Sequence, residues 1–109
     1  MGAETRLQSK IIDWLTTHHF KAIKVIVSSV SGTCDIIACS PKGRYIAIEV
    51  KWGSNTTSAL QDEFIEQINK RDGIAFATWD LETVIARLSG EIDGGYDGSD
   101  EQEDGPVFL

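Results

Sequence analysis

The fold turns on residues 34–51, Cys34-Asp35-Ile36-Ile37-Ala38-Cys39-Ser40-Pro41-Lys42-Gly43-Arg44-Tyr45-Ile46-Ala47-Ile48-Glu49-Val50-Lys51. Two apolar runs flank Ser40-Pro41-Lys42-Gly43, whose Pro and Gly suit a tight reversal, so this stretch is predicted to be a β-hairpin. A loop centred near Lys42 sets Asp35 directly across from Glu49. Opposed side chains on one face lie about 4.5–5.5 Å apart at Cβ, where like charges repel unless something compensates. A divalent cation is the natural compensation. Period-two alternation also puts Glu49 and Lys51 on one face and Ile46, Ile48 and Val50 on the other. The register matters, because a slip by one residue would separate the two acids.

Upstream, Leu7, Ile11 and Leu15 recur at helical spacing, with Ile12 and Trp14 widening the stripe, so an amphipathic helix is predicted from about Glu4 to His19. His18 and His19 then fall at its C-terminus, where partial positive charge is favoured. The β-branched run within Lys21–Val30, closed by Ser31-Gly32, reads as a strand. Downstream, Ser58 can cap a second helix with Gln61 three residues on, and Leu60, Phe64, Ile65 and Ile68 supply its apolar face up to about Asp72-Gly73. Ile74–Thr78 reads as a short strand, and Leu81, Val84, Ile85 and Leu88 as a last helix started by Asp80. The expected order is α-β-β-β-α-β-α.

The chain has 109 residues and a formal net charge of −7. That length suits one core. Seven acids, Glu91, Asp93, Asp97, Asp100, Glu101, Glu103 and Asp104, lie in a Gly-rich end, leaving ten acids against ten bases in residues 1–90. The expectation is therefore a neutral domain over residues 1–90 and an acidic, unstructured tail over 91–109. The tail could cover an active groove as a mimic of nucleic-acid charge, or dock its hydrophobic end into a partner; a solvated tail is the plainer reading. No apolar run approaches the roughly 20 residues that cross a bilayer, and the N-terminus lacks the apolar core of a signal peptide, so a cytoplasmic protein is expected. Cys34 and Cys39 are read as two small buried hydrophobes on opposite faces of one strand, unable to bridge each other. Trp14, Trp52 and Trp79 are expected in the core, with Trp52 the one best placed to touch a substrate, because it follows Lys51.

Two acids and one base converging on a strand suit phosphodiester hydrolysis. Carboxylates are hard oxygen ligands for Mg²⁺ or Mn²⁺, which polarise a phosphoryl oxygen and acidify a bound water. Lys51 can orient that water or stabilise the charge that develops. A plain surface hairpin with a Glu–Lys charge pair stays open beside this reading. Glu4 shares a helical face with Leu7 and Ile11, either as a functional acid or as a first-turn acid favoured by the helix dipole. Gln61 lies beside Phe64, Ile65 and Ile68, either as a site residue or as the Gln of a capping box. Lys42 and Arg44, with Lys21, Lys24, Lys70 and Arg71, are candidates for phosphate contact, or are scattered surface bases.

The runs SGTCDIIACSPKGRYIAIEVKWG and ALQDEFIEQINKRDGIAFA resemble the virus-type replication-repair nuclease (VRR-NUC) domain, a branch of the PD-(D/E)XK nucleases. The likeness covers about residues 4–88, with Glu4, Gly32 and Asp35, Glu49 and Lys51, and Gln61 standing in the family's order. It departs where Thr33-Cys34 replace the Pro often found before the Asp, and in the acidic end. The resemblance implies a restriction-endonuclease-like mixed sheet flanked by helices. It implies metal binding by Asp35, Glu49 and the Val50 carbonyl, support from Lys51, and contacts to metal-linked water or substrate from Glu4 and Gln61. Stand-alone members similar to this chain are phage or viral homodimers acting on branched DNA such as Holliday junctions. A symmetric cut by a one-site chain needs two copies about a twofold axis. The competing readings are a catalytically silent DNA-binding or scaffold module, and a restriction-like or nicking endonuclease.

Overall fold

The computed structural model describes residues 2–92. The acidic segment from position 93 onward, expected to be unstructured, lies outside the described residues. The elements follow the expected order: α1 (Ala3–Thr17), β1 (Lys21–Lys24), β2 (Ile36–Cys39), β3 (Tyr45–Val50), α2 (Ala59–Lys70), β4 (Ile74–Thr78) and α3 (Leu81–Leu88), closed by a 3₁₀ turn, Ser89–Glu91. Their strands form one mixed sheet in the order β1-β2-β3-β4, antiparallel except for the parallel pair β3–β4.

Alternation along β3 decides what lies on each side of the sheet. Ile46, Ile48 and Val50 join Ile36, Ala38 and Phe76 in the main core, which α1 covers with Leu7, Ile11 and Leu15 and α3 covers with Val84 and Leu88. Small residues floor the opposite face. Cys34, Ala47 and Ala75 are fully or almost fully buried there, against Phe64, Ile65 and Ile68 of α2. No residue of α2 is itself buried, so this layer is the open one. Asn69 ties α2 to β4 by pairing both ends of its amide with the main chain of Ala75, at 2.9 Å each.

Several expectations are corrected. The strand predicted over Lys21–Val30 ends at Lys24, because its only partner, β2, begins at Ile36, and the Val25 amide makes a last contact with the Asp35 carbonyl at 2.8 Å. β-branched residues favour strands only where a neighbouring strand gives them a pleated surface to pack on. Ile26 and Val27 are instead exposed in a loop, at 80% and 89%. Cys34 precedes β2 and is buried, whereas Cys39 is exposed at its far end, so only one cysteine is a core residue. Of the three tryptophans, Trp14 packs on the core beside His18 and Phe20, while Trp52 and Trp79 are exposed. Leu60, assigned to the apolar face of α2, is exposed in its first turn. Glu91, counted with the tail, is buried: it accepts from Ser40 Oγ at 2.7 Å and pairs with Arg44 Nε at 3.1 Å.

Candidate active site

The hairpin has the register read from its loop, with Ile36 opposite Ile48 and Cys39 opposite Tyr45. That register carries Asp35 to the position across from Glu49. Asp35 stands one residue before β2, where its Oδ2 accepts from the Val50 amide at 2.8 Å. Glu49 faces the α2 side and is 3% exposed. Its Oε2 accepts from Gln61 Nε2 at 3.0 Å and pairs with Lys51 Nζ at 3.3 Å, while its Oε1 is buried without a partner. Burial and the neighbouring Asp35 carboxylate push the Glu49 carboxyl up to about 7, against the pull of Lys51.

Gln61 uses both ends of its side-chain amide. Its side-chain carbonyl accepts from the Ser58 main-chain N–H at 2.9 Å, and Ser58 Oγ accepts from the Gln61 main-chain N–H at 3.2 Å, completing a capping box. The Nε2 end of the side-chain amide donates to Glu49. Gly32 makes this closeness possible. At a φ of +84°, a Cβ there would meet the Leu60 carbonyl carbon at 2.5 Å and the Gln61 nitrogen at 2.9 Å. The loop leading into Asp35 thus rests directly on the turn that carries Gln61, and glycine alone allows the approach.

The structure does not bring every candidate together. Glu4 lies in the first turn of α1, half-buried, and α1 covers the sheet face opposite to Glu49. It makes no hydrogen bond or ion pair among the described residues. The Val50 side chain is in the core, and its main chain links Glu49 to Lys51. Trp52 follows Lys51 into a loop that Trp79 Nε1 pins by donating to the Asn55 carbonyl at 3.0 Å. Lys42 and Arg44 sit at the other end of β3, five to seven residues from Glu49 and so roughly 16 Å or more along the strand. Gln8 was missed. It is buried in α1 with its Oε1 unpartnered, and its one sequence signal is a polar residue next to Leu7, one turn after Glu4.

The arrangement can hold a cation. Its two carboxylates are hard oxygen donors, an oxygen of Glu49 is buried without a partner, and the Glu49 anion is disfavoured where it stands. Among the described residues, no three His, Cys, Asp or Glu side chains cluster closely enough to hold an ion, so further donors would come from the main chain or water. Cys34 is not one of them. Burial, with the Glu49 and Asp35 carboxylates, pushes its thiol up to about 12.

The mixed sheet, with α1 and α3 on one face and α2 on the other, defines a restriction-endonuclease-like fold. It is the fold of the VRR-NUC domain. One solved structure described as "VRR_NUC domain" superposes with a TM-score of 0.67 at 22% identity, over 80% of this chain and 94% of that one. A second, described as "VRR_NUC domain protein", gives 0.67 at 20% identity, over 86% and 95%. No protein-family model matches the sequence, and no curated protein is significantly similar to it.

Proposed function

We propose that this chain is a metal-dependent DNA endonuclease that hydrolyses phosphodiester bonds at the Asp35–Glu49–Lys51 site. The observation that carries the reading is Glu49: an acid buried beside a second acid, with one oxygen orphaned and the other held by Lys51 and Gln61. A protein gains no stability from such a pair, and perturbed acids of this kind gather at functional sites. The VRR-NUC fold points the same way. Asp35, Glu49 and the Val50 carbonyl would hold Mg²⁺ or Mn²⁺, which when bound polarises the phosphoryl oxygen and supplies an acidified water.

The remaining roles belong to the chain. Gln61 fixes one oxygen of Glu49, so the other is presented in one orientation. The Lys51 ammonium, mostly shielded from solvent, offers positive charge beside Glu49 where negative charge builds up on the phosphate. Trp52, exposed next to Lys51, is available for a base or sugar. Contact of Glu4 with metal-linked water or substrate rests on the family resemblance alone, since α1 lies on the other face of the sheet. Lys42 and Arg44 would meet the backbone farther along the DNA.

Branched DNA, such as a four-way junction, is the proposed substrate, cut by a homodimer working in the cytoplasm, that of the host cell if the chain is phage-encoded. Support for pairing comes from the sheet edge, where Ile23, Ile26, Val27 and Val30 of β1 and the following loop are exposed together. No helix among the described residues is long and apolar enough to cross a membrane.

The test is cleavage of labelled four-way junction, flap and linear duplex in Mg²⁺, Mn²⁺ or EDTA, comparing the native chain with Lys51→Ala. Metal-dependent cutting lost in Lys51→Ala is expected, with the junction preferred. Tight binding without cutting in either metal would replace this reading by a silent DNA-binding module, and cutting of one linear sequence by a restriction-like enzyme.

A further inference from the structure

Two contiguous cavities, of about 410 and 320 Å³, open at the hairpin end of the sheet and share Tyr45, Arg71 and Gly73. The larger is lined also by Lys42, Arg44 and Asp72, the smaller by Ile68. One half therefore offers cations, the other an aromatic ring and an aliphatic side chain. Both guanidinium groups are oriented by neighbours and still have donors left. Arg44 donates Nε to Glu91 and Nη1 to the Asp72 carbonyl, and Arg71 donates Nη1 to the carbonyl and Oε1 of Gln67, which uses two of five N–H donors on each. Lys42 makes no ion pair among the described residues. The opposing charges are Asp72 and Glu91, and the latter is already engaged by Ser40 and Arg44.

We propose that this end carries a second site, which takes a nucleoside phosphate unit, its base against Tyr45 and Ile68 and its phosphate against Lys42 and Arg71. Tyr45 is 46% exposed and stands on the same face of β3 as Glu49, four residues away. Ala47, between them on that face, is buried beneath Phe64, Ile65 and Ile68 of α2, so DNA bound at Glu49 would reach Tyr45 only by passing around α2, and a free nucleotide offers the same chemistry. The DNA-flank form rests on the nuclease reading; the nucleotide site itself does not.

The experiment follows amide NMR signals of Gly43 and Gly73 in the Lys51→Ala chain as inorganic phosphate, dAMP or a short duplex is added, with cleavage by the native chain assayed in parallel. Both signals are expected to move. Movement with dAMP identifies a site open to free nucleotides, and movement with duplex alone a subsite for flanking DNA. Tyr45→Ala should weaken binding roughly tenfold and Tyr45→Phe restore it, because stacking needs the ring and not the hydroxyl. Lys42→Ala with Arg71→Ala should lower the slope of log affinity for duplex against log salt by about 1, one phosphate contact being lost. Signals unmoved by dAMP and duplex while the native chain cuts DNA would overturn the second site and leave the nuclease. Signals moved by dAMP in a chain that cuts nothing would uphold the site and remove the nuclease. Phosphate acting as strongly as dAMP, with no effect of Tyr45→Ala, would also overturn the proposal, since no base would be held.

Discussion

The Gln61 side chain donates to Glu49 at 3.0 Å while its carbonyl accepts from Ser58 at 2.9 Å, so one amide both starts α2 and positions the buried acid. The two duties separate by mutation. Ser58→Ala should cost about 1 kcal/mol of stability through the lost cap. It should leave cleavage within a few-fold of the native rate. Gln61→Ala should cost a similar amount in urea unfolding and also lower cleavage, by roughly tenfold or more if orienting Glu49 matters as a hydrogen bond of about 1.5 kcal/mol. Equal loss of cleavage in both variants would mean that only the helix start matters.

Stability should depend on pH through Glu49. The carboxyl rises from 4.5 to about 7 on folding, so between these values the folded chain keeps a proton that the unfolded chain has released. This contribution to stability is fully present below about 4.5 and is lost as pH rises through about 7. In EDTA, Glu49→Gln should therefore gain on the native chain as pH is raised from 5 to about 8.5, by on the order of a few kcal/mol. Urea midpoints of the two proteins that run parallel across that range would refute the assignment.

Gly32→Ala should be severely destabilising for its place in a loop. The new Cβ meets the Leu60 carbonyl and the Gln61 amide, at a φ of +84° that disfavours any side chain. Strain of this kind costs about 1–3 kcal/mol before the clash is counted. Thermal unfolding measures it, and a variant as stable as the native chain would show that the loop does not rest on α2.

The two thiols should react differently. Cys39 is exposed, and Cys34 is buried with its thiol pushed up to about 12. One equivalent of a thiol reagent should add quickly to the folded chain at pH 8, at Cys39, and the second only on unfolding. Mass spectrometry of the labelled peptides distinguishes them, and rapid labelling of Cys34 would contradict its burial.

A chain ending at Gly90 should be about 1–3 kcal/mol less stable in thermal unfolding than one ending at Ile92. The difference is Glu91, whose carboxylate holds Ser40 and Arg44 across the hairpin loop, together with Ile92, which packs against the main core. Equal stability of the two truncations would show that neither the Glu91 bonds nor the packing of Ile92 stabilises the fold.

What local pattern settles was legible in the sequence. The hairpin register follows from Pro41, Gly43 and loop length, and it sets the face of Glu49 against that of Ile48 and Val50. The Ser58–Gln61 box and the Asp80 cap are contacts between residues three apart, so spacing alone reveals them. The end of β1 at Lys24 was not legible, because β-branched residues read as a strand until their partner runs out. Nor was the exposure of Trp52 and Trp79, since an aromatic side chain buries only if another element arrives to cover it. Tertiary structure decided that Glu91 belongs to the body, that Gly32 must lack a side chain to admit Gln61, and that Lys42 and Arg44 stand at the far end of β3 from Asp35 and Glu49. These depend on contacts between residues far apart in the chain, which the packing of α2 and the hairpin creates and which no spacing encodes.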